Sequence, residues 1–384
     1  MGVIVSRARF VPAVVAVAVL LAACNLGSPP VMYPAAVADS VFKASASADL
    51  NGDGVFDVVV ADDGSYTVLL SNGSGGFTVT AAPSPHQMSL LTLADYTADG
   101  EIDLAYFVDD GTSTAYVRAG DGAGGFGSPV SFGFRAIKAS GDLNGDGHLD
   151  IVERAGAGIG VRLGDGAGGY GSSIDYPISP SSAVLGVTSV EMADFTHDGQ
   201  LDVVVGGQEI TCPTPSTCSF PSAVALLTGD GAGGLQVGAR RSALDSDLAL
   251  ADIDEDGNLD VIGSGFLANV SLLRGTGTAD LAPPTTLPLD KKTCGVEAAD
   301  IDNDGHVDLV LAGENHAGTV LWGEGDGNFP TSQAIETAGG NFADDCNDVL
   351  SRNFDGDAKP DVAFLGDETN QVAVLHNGLT QRPT

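Results

Sequence analysis

Apolar residues along this chain gather in short runs rather than at helical intervals. FDVVVADDG from Phe56, IDLAYFVDDG from Ile102, LDIVERAG from Leu149, LDVVVGGQ from Leu201, LDVIGSGF from Leu259, VDLVLAGE from Val307 and PDVAFLGD from Pro360 are rich in β-branched residues. A second run follows most of them and ends in glycines, as in YTVLLSNGSGGF from Tyr66, AYVRAGDGAGGF from Ala115 and VALLTGDGAGGL from Val224. Short apolar runs at regular spacing, broken by Gly and Asp turns, predict an all-β chain. Each repeat then reads as strand, acidic loop, strand, turn, strand, glycine hairpin, strand. Four antiparallel strands in a unit of this length predict a propeller blade.

The acidic loop recurs seven times, opening at Asp49, Asp95, Asp142, Asp194, Asp252, Asp300 and Asn353, at intervals of 46, 47, 52, 58, 48 and 53 residues. Its nine positions follow DxDxDGxxD. Oxygen-bearing side chains fall at positions one, three, five and nine, glycine at six permits a left-handed curl, and the carbonyl of position seven can turn inward. Such a loop suits a hard divalent cation, which takes about six to eight oxygens. The candidate ligands are Asp49, Asn51, Asp53, Val55 and Asp57; Asp95, Thr97, Asp99, Glu101 and Asp103; Asp142, Asn144, Asp146, His148 and Asp150; and Asp194, Thr196, Asp198, Gln200 and Asp202. The later copies add Asp252, Asp254, Asp256, Asn258 and Asp260; Asp300, Asp302, Asp304, His306 and Asp308; and Asn353, Asp355, Asp357, Lys359 and Asp361. The fifth and sixth loops, with four carboxylates each, are expected to bind tightest. Thr97 and Thr196 are weaker ligands, and the seventh loop, with Asn353 first, Ala358 at six and Pro360 at eight, is the poorest.

The seven in-register loops resemble the FG-GAP and VCBS-repeat family, of which the N-terminal propellers of integrin α subunits are members. The resemblance spans about residues 35 to 378, while the Phe-Gly, Gly-Ala-Pro signature survives only as fragments such as Gly125-Phe126. It implies a seven-bladed β-propeller with Ca²⁺, up to seven ions, in the acidic loops. The chain after Gln371 is too short for a full last strand, so Val31 to Asp39 is expected to complete the seventh blade and close the ring.

Charge sharpens the partner question. The net charge of −35, or −37 once Arg7 and Arg9 leave with a signal peptide, argues against nucleic acid and anionic headgroups. The loops supply 23 aspartates to a total of 51 acidic residues, so the acidity is localised. The N-terminus combines those arginines with an uncharged run from Phe10 to Ala23 and ends in LAAC, which resembles a bacterial lipobox. Residues 1–23 are therefore expected to be a lipoprotein signal, Cys24 the lipidated residue, 24–34 a linker and 35–384 the propeller of a monomeric, envelope-anchored protein. In an exported protein Cys212 with Cys218 and Cys294 with Cys346 are the favoured disulfides of three possible pairings.

Catalytic motifs are absent: no GxSxG, HExxH or GxxxxGK[ST] occurs, and His86, His197, His316 and His376 are scattered in loops. DLNGDGHLDIVE, ending at Glu153, matches an EF-hand expression but is flanked by strands, and GDGAGG joins strands rather than opening a helix. The expectation is a non-enzymatic interaction or adhesion module with a protein or glycan ligand. The alternative is a carbohydrate-binding or carbohydrate-active propeller, although Trp322 is the only tryptophan. The insertion from Ile210 to Ser222, between second and third strands, is the expected docking element.

Overall fold

The computed structural model describes residues 31–34, 44–61, 64–108, 114–178, 184–214, 217–243, 247–265, 267–313, 317–336, 348–357, 359–366 and 371–377. The fold is an all-β propeller of antiparallel four-stranded blades. The first repeat sets the pattern, with Ala44–Ala48, Asp57–Ala61, Ser65–Ser71 and Phe77–Pro83 paired in order. The second strand is buried along its whole length, whereas the fourth is largely exposed. Its unbroken DVVVA suits a strand covered on both faces.

The expectation of seven separate blades needs correction. Among the described residues five blades stand as separate sheets, those of the first four repeats and that of the last. The fifth and sixth repeats instead share one seven-stranded sheet. They are joined by Thr285–Ala299, whose early residues pair with Leu267–Leu273 and whose later residues pair with Asp308–Gly313. Leu289-Asp-Lys-Lys-Thr293 contains neither Gly nor Pro, and the chain stays extended there as it passes inward.

Closure follows the sequence-based expectation over part of its range. Val31–Pro34 pairs antiparallel with Gln371–Leu375, in the register Val31↔Val374 to Pro34↔Gln371. The last sheet thereby gains a fourth strand from the N-terminal side, which covers the edge of Gln371–Leu375. Seven core clusters are found among the described residues, each built from two successive repeats. One of them joins the ends of the chain, setting Val58, Val60 and Leu69 against Phe354, Leu365 and Val374. The Ser71 hydroxyl also donates to the Phe354 carbonyl at 2.5 Å, and the Phe56 amide to that of Asn353 at 3.2 Å.

Residues 1–30, with Cys24, and 337–347, with Cys346, lie outside the described residues. Cys212 and Cys218 fall in the paired strands Asp202–Thr214 and Thr217–Ser219, and Cys294 in Thr285–Ala299; their side chains are likewise outside the description. The expected insertion in the fourth repeat is thus a short hairpin, with Thr211 opposite Ser219 and Thr214 opposite Thr217.

Candidate functional site

All seven acidic loops link the first and second strands of a repeat, and in every one the second strand starts at position nine. That aspartate is fully buried in each copy: Asp57, Asp103, Asp150, Asp202, Asp260, Asp308 and Asp361. It acts as a staple. In the third loop Asp150 accepts the Leu143 amide at 2.9 Å on one oxygen and the Gly164 amide at 2.8 Å on the other. The same pair of bonds ties Asp57 to Leu50 and Ser71, Asp308 to Ile301 and Gly323, and Asp361 to Phe354 and Asn377. Position nine therefore fastens the acidic loop to the glycine hairpin of the same repeat. Sequence reasoning assigned this residue only to an ion.

The staple also explains the first glycine of each hairpin. A Cβ on Gly120, Gly164, Gly229, Gly275 or Gly323 would stand 2.0 to 2.2 Å from the carbonyl oxygen of loop position eight. In these five repeats a bare backbone lets the two chains approach so closely, whereas Ser71 and Asn377 donate the equivalent amide in the first and last repeats. Loops and hairpins consequently share one face of the propeller.

Within the loop, positions one and five build an Asx-type turn. Asp49 accepts the amides of Asp53 at 3.1 Å and Gly54 at 2.8 Å, and Asp53 accepts that of Val55 at 2.9 Å. The bonds recur in the other complete copies, as at Asp300 and Asp304. Glycine at position six is left-handed, as expected, with φ from 82° at Gly147 to 94° at Gly305. Position four is left-handed as well, although Ala98, His197, Glu255 and Asn303 occupy it with φ of 56–59°. The motif gave no sign of that requirement, because only three copies carry glycine there.

Burial is the main electrostatic influence. It pushes Asp57 up to about 6 and Asp308 up to about 7, and it raises Asp103, Asp150 and Asp260. Carboxylates with raised affinity for protons, crowded by further aspartates, favour any cation that can replace the proton. The position-three oxygens point the same way: Thr196 Oγ1 and Asp254 Oδ1 are buried and have no hydrogen-bond partner among the described residues. Among the described residues three groups bring ligand atoms within 4.8 Å of one another, namely Asp252, Asp254 and Asp260; Asp300, Asp302 and Asp304; and Asp355, Asp361 and His376. The residues thus fit a divalent ion at the loops.

Two rankings drawn from carboxylate number change. In the fifth loop the Arg274 guanidinium lies 3.0 Å from Asp260 and 3.4 Å from Asp254, so a resident cation already neutralises part of that cage. In the seventh loop His376, read from the sequence as a scattered loop histidine, stands at the hairpin position equivalent to Arg274. Its Nδ1 lies 3.4 Å from Asp361 and 3.9 Å from Asp355. Asp361 is the main cause of the raised pKa of His376. The sixth loop has the apolar Trp322 at this position and keeps all its carboxylates.

These loops decide the family. The model of the FG-GAP-like repeat matches residues 49–106, 95–153, 142–205, 252–311 and 300–364, each match opening on position one of an acidic loop. The chain belongs to the FG-GAP-like repeat family. The FG-GAP-like matches overlap from one acidic loop into the next, and none opens at Asp194, whose repeat carries the inserted hairpin. No curated protein matches the chain. Among solved structures it is similar to an Agrocybe aegerita lectin described by its specific recognition of non-reducing terminal N-acetylglucosamine. That similarity has 19% identity and a TM-score of 0.54, and covers 78% of this chain and 81% of the lectin. It is also similar to BBS1N in complex with ARL6DN. The form soaked with lead has 12% identity, a TM-score of 0.56 and coverage of 90% and 94%; the mercury-soaked form has 11%, 0.52, 91% and 96%. At such identities the shared property is the fold.

A second concentration of acid, invisible in the loop motif, lies on the innermost strands. Glu191, Asp247, Glu297 and Asp348 come from four successive repeats and influence one another's protonation. Burial raises all four, taking Glu191 up to about 7. Arg352 pairs with Glu297 at 3.1 Å, and Ser45 donates to Asp348 across the closure.

Proposed function

We propose that this FG-GAP-like propeller is a calcium-stabilised interaction module, exported and held at the cell envelope by a lipid on Cys24. The ring counts as seven units, with the seven-stranded sheet read as two blades sharing Thr285–Ala299. This count is supported by the seven inter-repeat core clusters. The observation that carries the calcium reading is the set of unpartnered, buried oxygens at position three, aimed among carboxylates whose affinity for positive charge is raised by burial. The sixth loop is the strongest site and the fifth is weakened by Arg274. Ca²⁺ suits these irregular oxygen cages better than Mg²⁺. Disulfides Cys212–Cys218 and Cys294–Cys346 complete the reading, the first stiffening the hairpin proposed to meet a partner.

Binding rather than catalysis is favoured because the loop carboxylates are committed to backbone amides and cations, which leaves no free acid and base pair among them. A glycan ligand is the second reading. It is favoured by the likeness to the N-acetylglucosamine-recognising lectin and by the half-buried aromatic group in which the His86 ring lies tilted against Tyr116, centroids 4.2 Å apart. A pull-down with the calcium-loaded mature chain against envelope and host-surface proteins, beside a glycan array, tests both. Retention of a protein partner that is lost on deleting Thr211 to Phe220 supports the first reading. Turnover of a glycoside by the pure protein overturns it.

A further inference from the structure

We propose that Asp355, Asp361 and His376 form a zinc-class site at the seam between the last and first repeats, separate in chemistry from the calcium loops. The seventh loop is the least suited to calcium, with Asn353 at position one and Ala358 in place of glycine. What it has instead is an imidazole. Nitrogen ligands suit zinc, cobalt and nickel, whereas calcium takes oxygen.

The ring of His376 is oriented from outside the cluster. Its Nε2 lies 2.9 Å from the carbonyl oxygen of Gly75 in the first repeat. A carbonyl only accepts, so Nε2 carries hydrogen and Nδ1 is the ring atom turned toward the carboxylates. Nδ1 is buried and has no hydrogen-bond partner within ordinary bonding distance among the described residues. It faces Asp361 Oδ2 at 3.4 Å and Asp355 Oδ2 at 3.9 Å. Three donor atoms so close need a positive charge among them, which either a proton on Nδ1 or a metal ion in its place supplies. Ligands about 2.0–2.1 Å from a tetrahedral ion stand roughly 3.3 Å apart, close to the separation of His376 from Asp361.

Each donor is oriented from behind, as metal ligands usually are. Asp361 accepts the Phe354 amide at 2.9 Å and the Asn377 amide at 2.7 Å, Asp355 accepts that of Asp357 at 3.0 Å, and His376 is held by Gly75. A bound ion would complete its shell with water. It would also tie the last hairpin to the loop that packs on the first repeat, strengthening the ring where its two ends meet.

The test uses the mature chain in millimolar Ca²⁺, titrated with Co²⁺ and then Zn²⁺. One equivalent of Co²⁺ is expected to give visible d–d absorption that Zn²⁺ abolishes, with affinity lowered about tenfold or more in His376→Gln and Asp355→Asn. Stabilisation by calcium is expected to persist in both variants, so loss of zinc and loss of calcium are read separately. Should either variant fail to fold, ring ¹⁵N shifts of His376 in the unaltered chain decide, since zinc is expected to move Nδ1. An unmoved Nδ1, or cobalt uptake unchanged in His376→Gln, overturns the proposal and leaves His376 as a protonated counter-ion.

Discussion

The ninth residue of the motif does two jobs, and the structural one is the easier to miss. Asp150 is fully buried and satisfies the Leu143 and Gly164 amides, so Asp150→Ala removes both acceptors at once. Unsatisfied buried donors cost about 1–3 kcal/mol each. Loss of roughly 3 kcal/mol or more is expected even in EDTA, measured by urea unfolding; an unchanged midpoint in EDTA would make Asp150 a ligand alone. Position four offers the opposite change. Ala98 is held at φ 57°, and Ala98→Gly is expected to stabilise the chain by about 1 kcal/mol in the same assay. The sequence shows why these roles stay hidden: an acidic ninth position suits a ligand and a staple equally, and position four varies among Gly52, Ala98, His197, Glu255 and Asn303. His376 was obscure for a different reason, since it reaches Asp355 and Asp361 only after the hairpin folds back.

Strand alternation, loop positions and the N-terminal closing strand were legible because each depends on local pattern or on chain left over. The fusion of the fifth and sixth repeats was not, because nothing in LDKKTC signals a turn or forbids one. The closing strand is the element most open to direct test. Val31–Pro34 is hydrogen-bonded along Gln371–Leu375 and covers an otherwise open edge. Removing Val31 to Pro34 is expected to lower the melting temperature by several degrees and promote association, observed by calorimetry and light scattering. A truncated chain that melts unchanged as a monomer would show that the ring is held by the inter-repeat cores alone.

Across the whole molecule, charge is gathered in two places, the loop face and the innermost strands. The pKa of Glu191 is raised from its ordinary 4.5 to about 7, first by burial and then by Glu297. The folded chain therefore keeps a proton that the unfolded chain releases, and stability falls as pH rises from about 4.5 to 7. Glu191→Gln is expected to flatten that slope by roughly 2 kcal/mol across the window, read from urea midpoints; a slope unaltered by the substitution would place the titration elsewhere.

The loop face has the larger effect, because 23 motif aspartates are brought together when the ring closes. Each ion bound at a hundredfold its dissociation constant adds about 2.7 kcal/mol if the unfolded chain binds none. The most direct measurement is the melting temperature of the mature chain in millimolar Ca²⁺ and in excess EGTA. A marked fall in EGTA, reversed by added Ca²⁺ and smaller when Asp300 and Asp304 are replaced by Asn, is the expected result. Equal melting temperatures in the two solutions would contradict the account and leave the acidic loops as hydrogen-bonded turns.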